Sequence, residues 1–223
     1  MSALAQQTLT PTEAAVVASV TVRDVNRVID ERILPDQLYV VAKDRTRRLF
    51  VDSCVLIAFY FGSAKRLTAE ERIKTIADAS ARLPSGQGKE GERLSALRKK
   101  WVVAEDFLTI DLAPFVRSVE EQFSKLQDAR GLVVEDPEIL GGSPVIRNTR
   151  IPVYDVAASV AAGVSIDRLV AAYRGLSARD VGLAALYAEA NPQRGRPRRA
   201  VTVPPAKRAL VASRRLPRRK HSA

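Results

Sequence analysis

The sequence predicts a mainly α-helical fold with small β-hairpins, in which a winged helix-turn-helix unit is followed by a second, three-helix unit. Three observations carry this. Apolar residues recur at helical spacing behind cap residues, as after Thr21 and Thr68. Short β-rich segments come in pairs across polar turns, as on either side of Lys43–Arg47. Gly and Pro punctuate the chain into short elements, with Gly163, Gly175 and Pro192 each closing a helical pattern.

The elements follow in order. Thr10-Pro11 is a helix start, a cap residue followed by Pro at the first helical position, and the helix runs to about Ser19. After a break at Ser19–Thr21, Thr21 caps a second helix with Asp24 at its third position. Val22, Val25, Val28 and Ile29 share one face of it, and Arg23, Asn26, Arg27 and Asp30 the other. Leu34-Pro35 ends it. Leu38–Ala42 and Arg48–Val51 then flank the charged turn Lys43-Asp44-Arg45-Thr46-Arg47 as a hairpin. Asp52–Gly62 reads as a buried helix, and Thr68-Ala69-Glu70-Glu71 opens another through a capping box.

Pro84–Gly91 has the composition of a linker. Trp101–Ala104 and Phe107–Leu112 read as paired strands, and Pro114 opens a helix with Phe115, Val116, Val119, Phe123 and Leu126 on one face. Leu132–Val134 and Val145–Arg147 form a further hairpin pattern around Asp136-Pro137 and Gly141-Gly142. Three short helices complete the unit: Val153–Ala162, one capped by Ser165 to about Arg174, and one capped by Ser177 to about Ala190. Tight Gly-containing turns between them are compatible with a helix-turn-helix. The expected domains are 1–83, a connecting region 84–130, 131–192 and a tail 193–223.

The formal net charge is +11, and eleven Lys and Arg with no Asp or Glu lie after Pro192. The body is therefore neutral and the tail a separate polycation, an arm for nucleic acid or an acidic protein surface. Cys54 is the only cysteine and sits in an apolar run, which reads as a buried thiol in a reducing compartment. That run, Cys54–Phe61, is the longest apolar one and falls short of the roughly 20 residues a membrane span needs. The expectation is a cytoplasmic protein with no membrane association.

Enzymatic chemistry has little to stand on. The only histidine, His221, lies in the tail, so no Ser–His or Cys–His pair can form in a core. There is no phosphate-binding glycine loop. Glu105, Asp106 and Asp111 lie close in sequence and read as turn and strand-edge charges rather than a magnesium site. No catalytic residue, metal or cofactor is expected.

The chemistry instead suits binding. In a helix–turn–helix–hairpin over 10–51, Thr21 would start the reading helix. Arg23, Asn26 and Arg27 are side-chain types that read purine edges, and Lys43, Arg45, Arg47 and Arg48 suit backbone phosphates. Such readers commonly dimerise, and the Pro114–Ala129 helix is a candidate for the interface or for the chain's own core.

The stretch Asp136-Pro137-Glu138-Ile139-Leu140-Gly141-Gly142-Ser143-Pro144-Val145-Ile146-Arg147-Asn148-Thr149-Arg150-Ile151-Pro152-Val153 resembles the signature of the bacterial domain-of-unknown-function 433 family, with the likeness running over about 131–192. That resemblance implies a homeodomain-like unit and a VapB-type antitoxin of a type II toxin–antitoxin module, partnered with a PIN-like ribonuclease toxin and bound to operator DNA. Asn148 replaces the family's usual Gly, a residue type that tolerates the left-handed backbone region. Arg150 reads as a turn arginine bonding nearby carbonyls. Between Ser177 and Asn191 the charges are Arg179, Asp180 and Glu189, an acidic balance that suits partner contact better than a DNA groove. Residues 9–83 resemble MerR-like winged modules. Arg194-Gly195-Arg196-Pro197-Arg198 looks like an AT-hook core; Arg194, Arg196, Arg198 and Arg199 suit either a narrow minor groove or the acidic cleft of a toxin. The alternative is a stand-alone winged helix-turn-helix regulator without a toxin.

Overall fold

Reciprocal capping boxes open four of the helices among the described residues. The computed structural model describes residues 8–42, 45–83, 90–98, 100–102 and 108–193. The contacts divide the chain at Pro192 into two units, and all the elements below lie in the first. Helix α1 (Pro11–Ala18) starts at Thr10, whose hydroxyl accepts from the Glu13 N–H while the Glu13 carboxylate accepts from the Thr10 N–H. It ends at Ser19 in the left-handed region, which turns the chain into α2 (Val22–Asp30). Thr21 and Asp24 form the same reciprocal box. Each box satisfies two N–H groups that helix geometry leaves orphaned.

A short 3-10 turn, Asp36–Leu38, leads into hairpin β1 (Tyr39–Val41) and β2 (Arg47–Leu49). The register pairs Tyr39 with Leu49 and Val41 with Arg47. Arg47 therefore belongs to the second strand and not to the turn; Arg45, at φ +62°, marks the tip, and Lys43 lies outside the described residues. Leu9 bridges to Leu49 through both backbone bonds, at 2.8 and 2.9 Å, so the hairpin base is tied to the start of α1.

Helix α3 (Val51–Gly62) is buried along nearly its whole length, Cys54 included. α4 (Ala69–Ala81) starts at the Thr68–Glu71 box. α5 (Glu90–Leu97) begins inside the segment whose composition suggested a linker. β3 (Lys100–Val102) pairs antiparallel with β4 (Thr109–Asp111). α6 (Ala113–Leu132) then runs between α1, α3 and α9, with Val116, Val119, Leu126 and Ala129 fully buried. Its apolar face is thus covered within the chain.

β5 (Val133–Val134) pairs with β6 (Val145–Ile146), and α7 (Val153–Ala161), α8 (Ile166–Ala172) and α9 (Ala178–Ala190) follow. Ser177 and Asp180 box the start of α9; Ser165 precedes α8 but makes no side-chain cap bond. Val181 and Ala184 of α9 join a small core with Ile146, Val153, Val156, Leu169 and Leu176. Ala190 joins the large core of α1, α2, α3 and α6. The three-helix unit is therefore packed onto the N-terminal helices through α9.

One ion pair is buried in this core. Asp52, in the first turn of α3, is held by Arg93 of α5 at 2.5 and 2.7 Å, and the Arg93 guanidinium lies 5.5 Å from the Phe50 ring centroid. No helix among the described residues is long and apolar enough to cross a membrane.

Candidate nucleic-acid interface

Helix α2 turns Val25, Val28 and Ile29 into the core, which fixes Arg23, Arg27 and Asp30 on the outside with Asn26 half-buried. Successive residues of β2 point to opposite faces. Leu49 is buried, so Arg47, two residues earlier, shares its side and reaches α2. Its guanidinium binds the Asp30 carboxylate at 2.6 Å and donates to Asn26 Oδ1 at 3.4 Å. One turn along α2, Arg27 pairs with Glu31 at 2.9 Å, and that bond raises the Arg27 pKa. Tyr39 of β1 donates to Asp36 at 2.7 Å, which raises its own pKa.

The structure thus brings Thr21, Arg23, Asn26, Arg27 and Arg47 together on α2 and one face of the hairpin. Thr21 is committed to the helix cap. Arg48 lies on the opposite face of the hairpin, paired with Val40. The surface hollow along α2 is lined by Arg23, Asp24, Asn26, Arg27, Asp30 and Glu31. Its carboxylates Asp24, Asp30 and Glu31 offset the arginines, which sequence reasoning did not weigh. A phosphate reaching Arg27 or Arg47 would have to replace a carboxylate partner. Among the described residues, Arg23, Arg45 and Arg48 have no such partner.

The tail arginines Arg194, Arg196, Arg198 and Arg199 lie outside the described residues, as do Glu105 and Asp106. Asp111 accepts the Ala113 N–H at 3.0 Å at the start of α6. No group of three or more His, Cys, Asp or Glu among the described residues is placed to hold a metal ion.

In the C-terminal unit, Asn148 takes the left-handed conformation at φ +61°. Thr149 fixes the turn, donating to the Ile146 carbonyl at 2.7 Å and accepting from the Ile151 N–H at 3.1 Å. It is Arg147, rather than Arg150, that bonds a carbonyl, donating to Gly131 at 2.8 Å; Arg150 is exposed. Helix α9 exposes few polar side chains. Past its first turn only Gly182 and Glu189 are exposed, and Arg179 pairs with Asp128 of α6 at 2.7 Å. Tyr187 is pushed up to about 12, first by burial and then by the Glu135 carboxylate, to which its hydroxyl donates at 3.3 Å. Tyr154 donates to the Asn191 carbonyl at 2.7 Å. Tyr154 thereby ties α7 to the end of α9, and its ring centroid lies 6.5 Å from that of Tyr187.

Residues 133–188 match the family model described as a protein of unknown function, DUF433. The chain is also similar to a protein of Sinorhizobium fredii (strain NBRC 101917 / NGR234) described as uncharacterized protein y4eO. The two are 50% identical over 220 residues, covering 99% of this chain and 97% of the relative. No solved structure matches. The chain belongs to the same family as y4eO and carries a DUF433 domain over 133–188.

Proposed function

We propose that the protein is the antitoxin of a type II toxin–antitoxin module, which neutralises a PIN-like ribonuclease toxin by direct binding and represses its own operon by binding the operator. The observation that carries this reading is the DUF433 domain, whose signature resembles that of VapB-type antitoxins, on the same chain as an N-terminal α1–α2–hairpin arrangement. In this reading α2 and the hairpin form a winged helix-turn-helix. Arg23 and Asn26 face base edges, and Arg45 and Arg48 contact phosphates with the charge they hold free of carboxylates. The eleven positive charges after Pro192 supply the arm that enters the acidic cleft of a metal-dependent nuclease. The few exposed polar side chains of α9 favour α2 as the DNA reader and leave the C-terminal unit for partner contact.

The test is co-expression with the product of the adjacent gene, with the full chain and with a chain ending at Pro192. The proposal expects the full chain to co-purify with that product and to abolish its ribonuclease activity. The truncated chain should lose neutralisation while keeping most of its operator affinity. Absence of any complex with the full chain would sink the antitoxin reading. A truncation that spares neutralisation but collapses DNA binding would assign the arm to DNA.

A second reading, a stand-alone winged helix-turn-helix regulator, is favoured by the Arg47–Asp30 bond, which fixes the hairpin against α2 as a DNA-reading wing requires. Sequence-specific duplex binding with no complex formed would select it.

A further inference from the structure

The turn after β6 carries a surface with no role in helix packing. An open cleft of about 610 Å³ is lined by the aliphatic residues Val134, Ile139 and Val145 together with Arg147, Thr149 and Arg150. Two features set it apart. First, its arginines are not neutralised. Arg147 is anchored through Nε to Gly131, and Arg150 extends from a turn that Thr149 fixes. Arg27, Arg47, Arg93, Arg98, Arg130 and Arg179 each meet a carboxylate, whereas Arg23, Arg45 and Arg48 share the unpaired state but line no such apolar cleft. Among the described residues Arg147 and Arg150 meet none, although Glu135, Asp136 and Glu138 lie in the β5–β6 connection. Glu135 accepts from Tyr187, and Asp136 accepts the Glu138 N–H. Second, the loop beside the cleft is strained. Leu140 adopts φ +49° while 54% exposed, next to Gly141 and Gly142, also at positive φ. A bulky side chain in that region is an outlier, and such strain collects at binding sites.

An aliphatic lining with two guanidiniums free of carboxylates suits a ligand that is both apolar and anionic. A nucleic acid strand fits less well, because no aromatic side chain lines the cleft for a base to stack on. We propose that this cleft docks an extended segment of a partner protein bearing aliphatic and carboxylate side chains, the carboxylate taken by Arg147 and Arg150 and the aliphatic chain lying on Val134 and Ile139. The inference stands whether or not that partner is a nuclease toxin.

The experiment uses the full chain and a fluorescent peptide of alternating Leu and Asp, with binding read by anisotropy. Because the basic tail attracts any acidic peptide, the decisive comparison is between variants of equal charge. R147Q/R150Q should weaken binding about tenfold, the scale of a lost charge-assisted bond. R168Q/R174Q, at exposed sites away from the cleft, should leave it unchanged. R150Q alone removes no intramolecular bond and should still weaken binding severalfold, which guards against a folding defect in the double variant. Replacing Leu by Ser in the peptide should lower affinity comparably. Equal small losses in both double variants would overturn the proposal, as would a peptide indifferent to its leucines. So would a DNA duplex that loses affinity on R147Q/R150Q as much as the peptide does.

Discussion

Arg47 of the hairpin and Asp30 of α2 are joined at 2.6 Å, so the carboxylate that ties the hairpin to α2 also neutralises the arginine beside it. Both side chains are partly exposed, at 32% and 58%, and a pair of that kind contributes about 0–1 kcal/mol to stability. Asp30→Asn should therefore cost little in unfolding free energy while releasing a positive charge and removing a negative one. If α2 and the hairpin contact DNA, affinity rises and the slope of log K against log salt steepens by about one. Anisotropy titrations at several salt concentrations measure both, and an unchanged slope would place Arg47 outside the interface.

The Asp52–Arg93 pair has the opposite character, since both groups are buried. Burial raises the Asp52 pKa above the usual carboxylate range, and Arg93 pulls it part of the way back. A carboxyl raised in the fold keeps its proton when the unfolded chain has already lost it, so its contribution to stability falls as pH rises through that range. Arg93→Met removes the opposing pull and leaves an uncompensated buried charge at neutral pH, at a cost of about 3–5 kcal/mol. Part of that cost should return on acidification, as Asp52 takes up a proton. Urea midpoints between neutral and acidic pH test this. Asp52→Asn combined with Arg93→Met should be less harmful than Arg93→Met alone.

These two pairs also mark how far the sequence could be read. The capping pairs Thr21–Asp24, Thr68–Glu71 and Ser177–Asp180 were legible because both partners lie within one turn, where local chemistry fixes the geometry. The positive φ of Asn148 was legible for the same reason. Arg47 and Asp30 are 17 residues apart, and Asp52 and Arg93 are 41; nothing local signals that they meet. The outward set Arg23, Asn26, Arg27 and Asp30 followed from helical period alone. Its neutralisation depended on the hairpin register, which a placement of Arg47 in the turn misjudged by one position. The packing of α9 was hidden too, because the residues it buries, Val181, Ala184 and Ala190, are small and form no obvious apolar stripe.

Gly62, the last residue of α3, shows how closely α3 and α6 approach. A Cβ added there would lie 2.9 Å from Cε1 of Phe115, whose ring stands edge-on to Phe59 with centroids 5.7 Å apart. Gly62→Ala would normally favour a helix. Here Phe115 must move and the ring contact must open, an overpacking cost of about 1–3 kcal/mol. A lower thermal midpoint for Gly62→Ala, restored in part by Phe115→Leu in the same chain, would establish the close contact.

Leu140 and Asn148 are both non-glycine residues at positive φ, and they predict opposite responses. Asn148 suits its conformation, so Asn148→Ala should cost about 1 kcal/mol through the left-handed backbone alone. Leu140 does not suit it, and its exposed side chain gains little from packing. Leu140→Asn should therefore raise stability by roughly 0.5–1 kcal/mol. If the loop is strained in order to hold Ile139 against an incoming aliphatic chain, the same substitution should weaken binding of the Leu–Asp peptide. A gain in stability together with a loss of binding would tie the strain to docking. A gain in stability with binding unchanged would make Leu140 an incidental outlier beside a cleft that works without it.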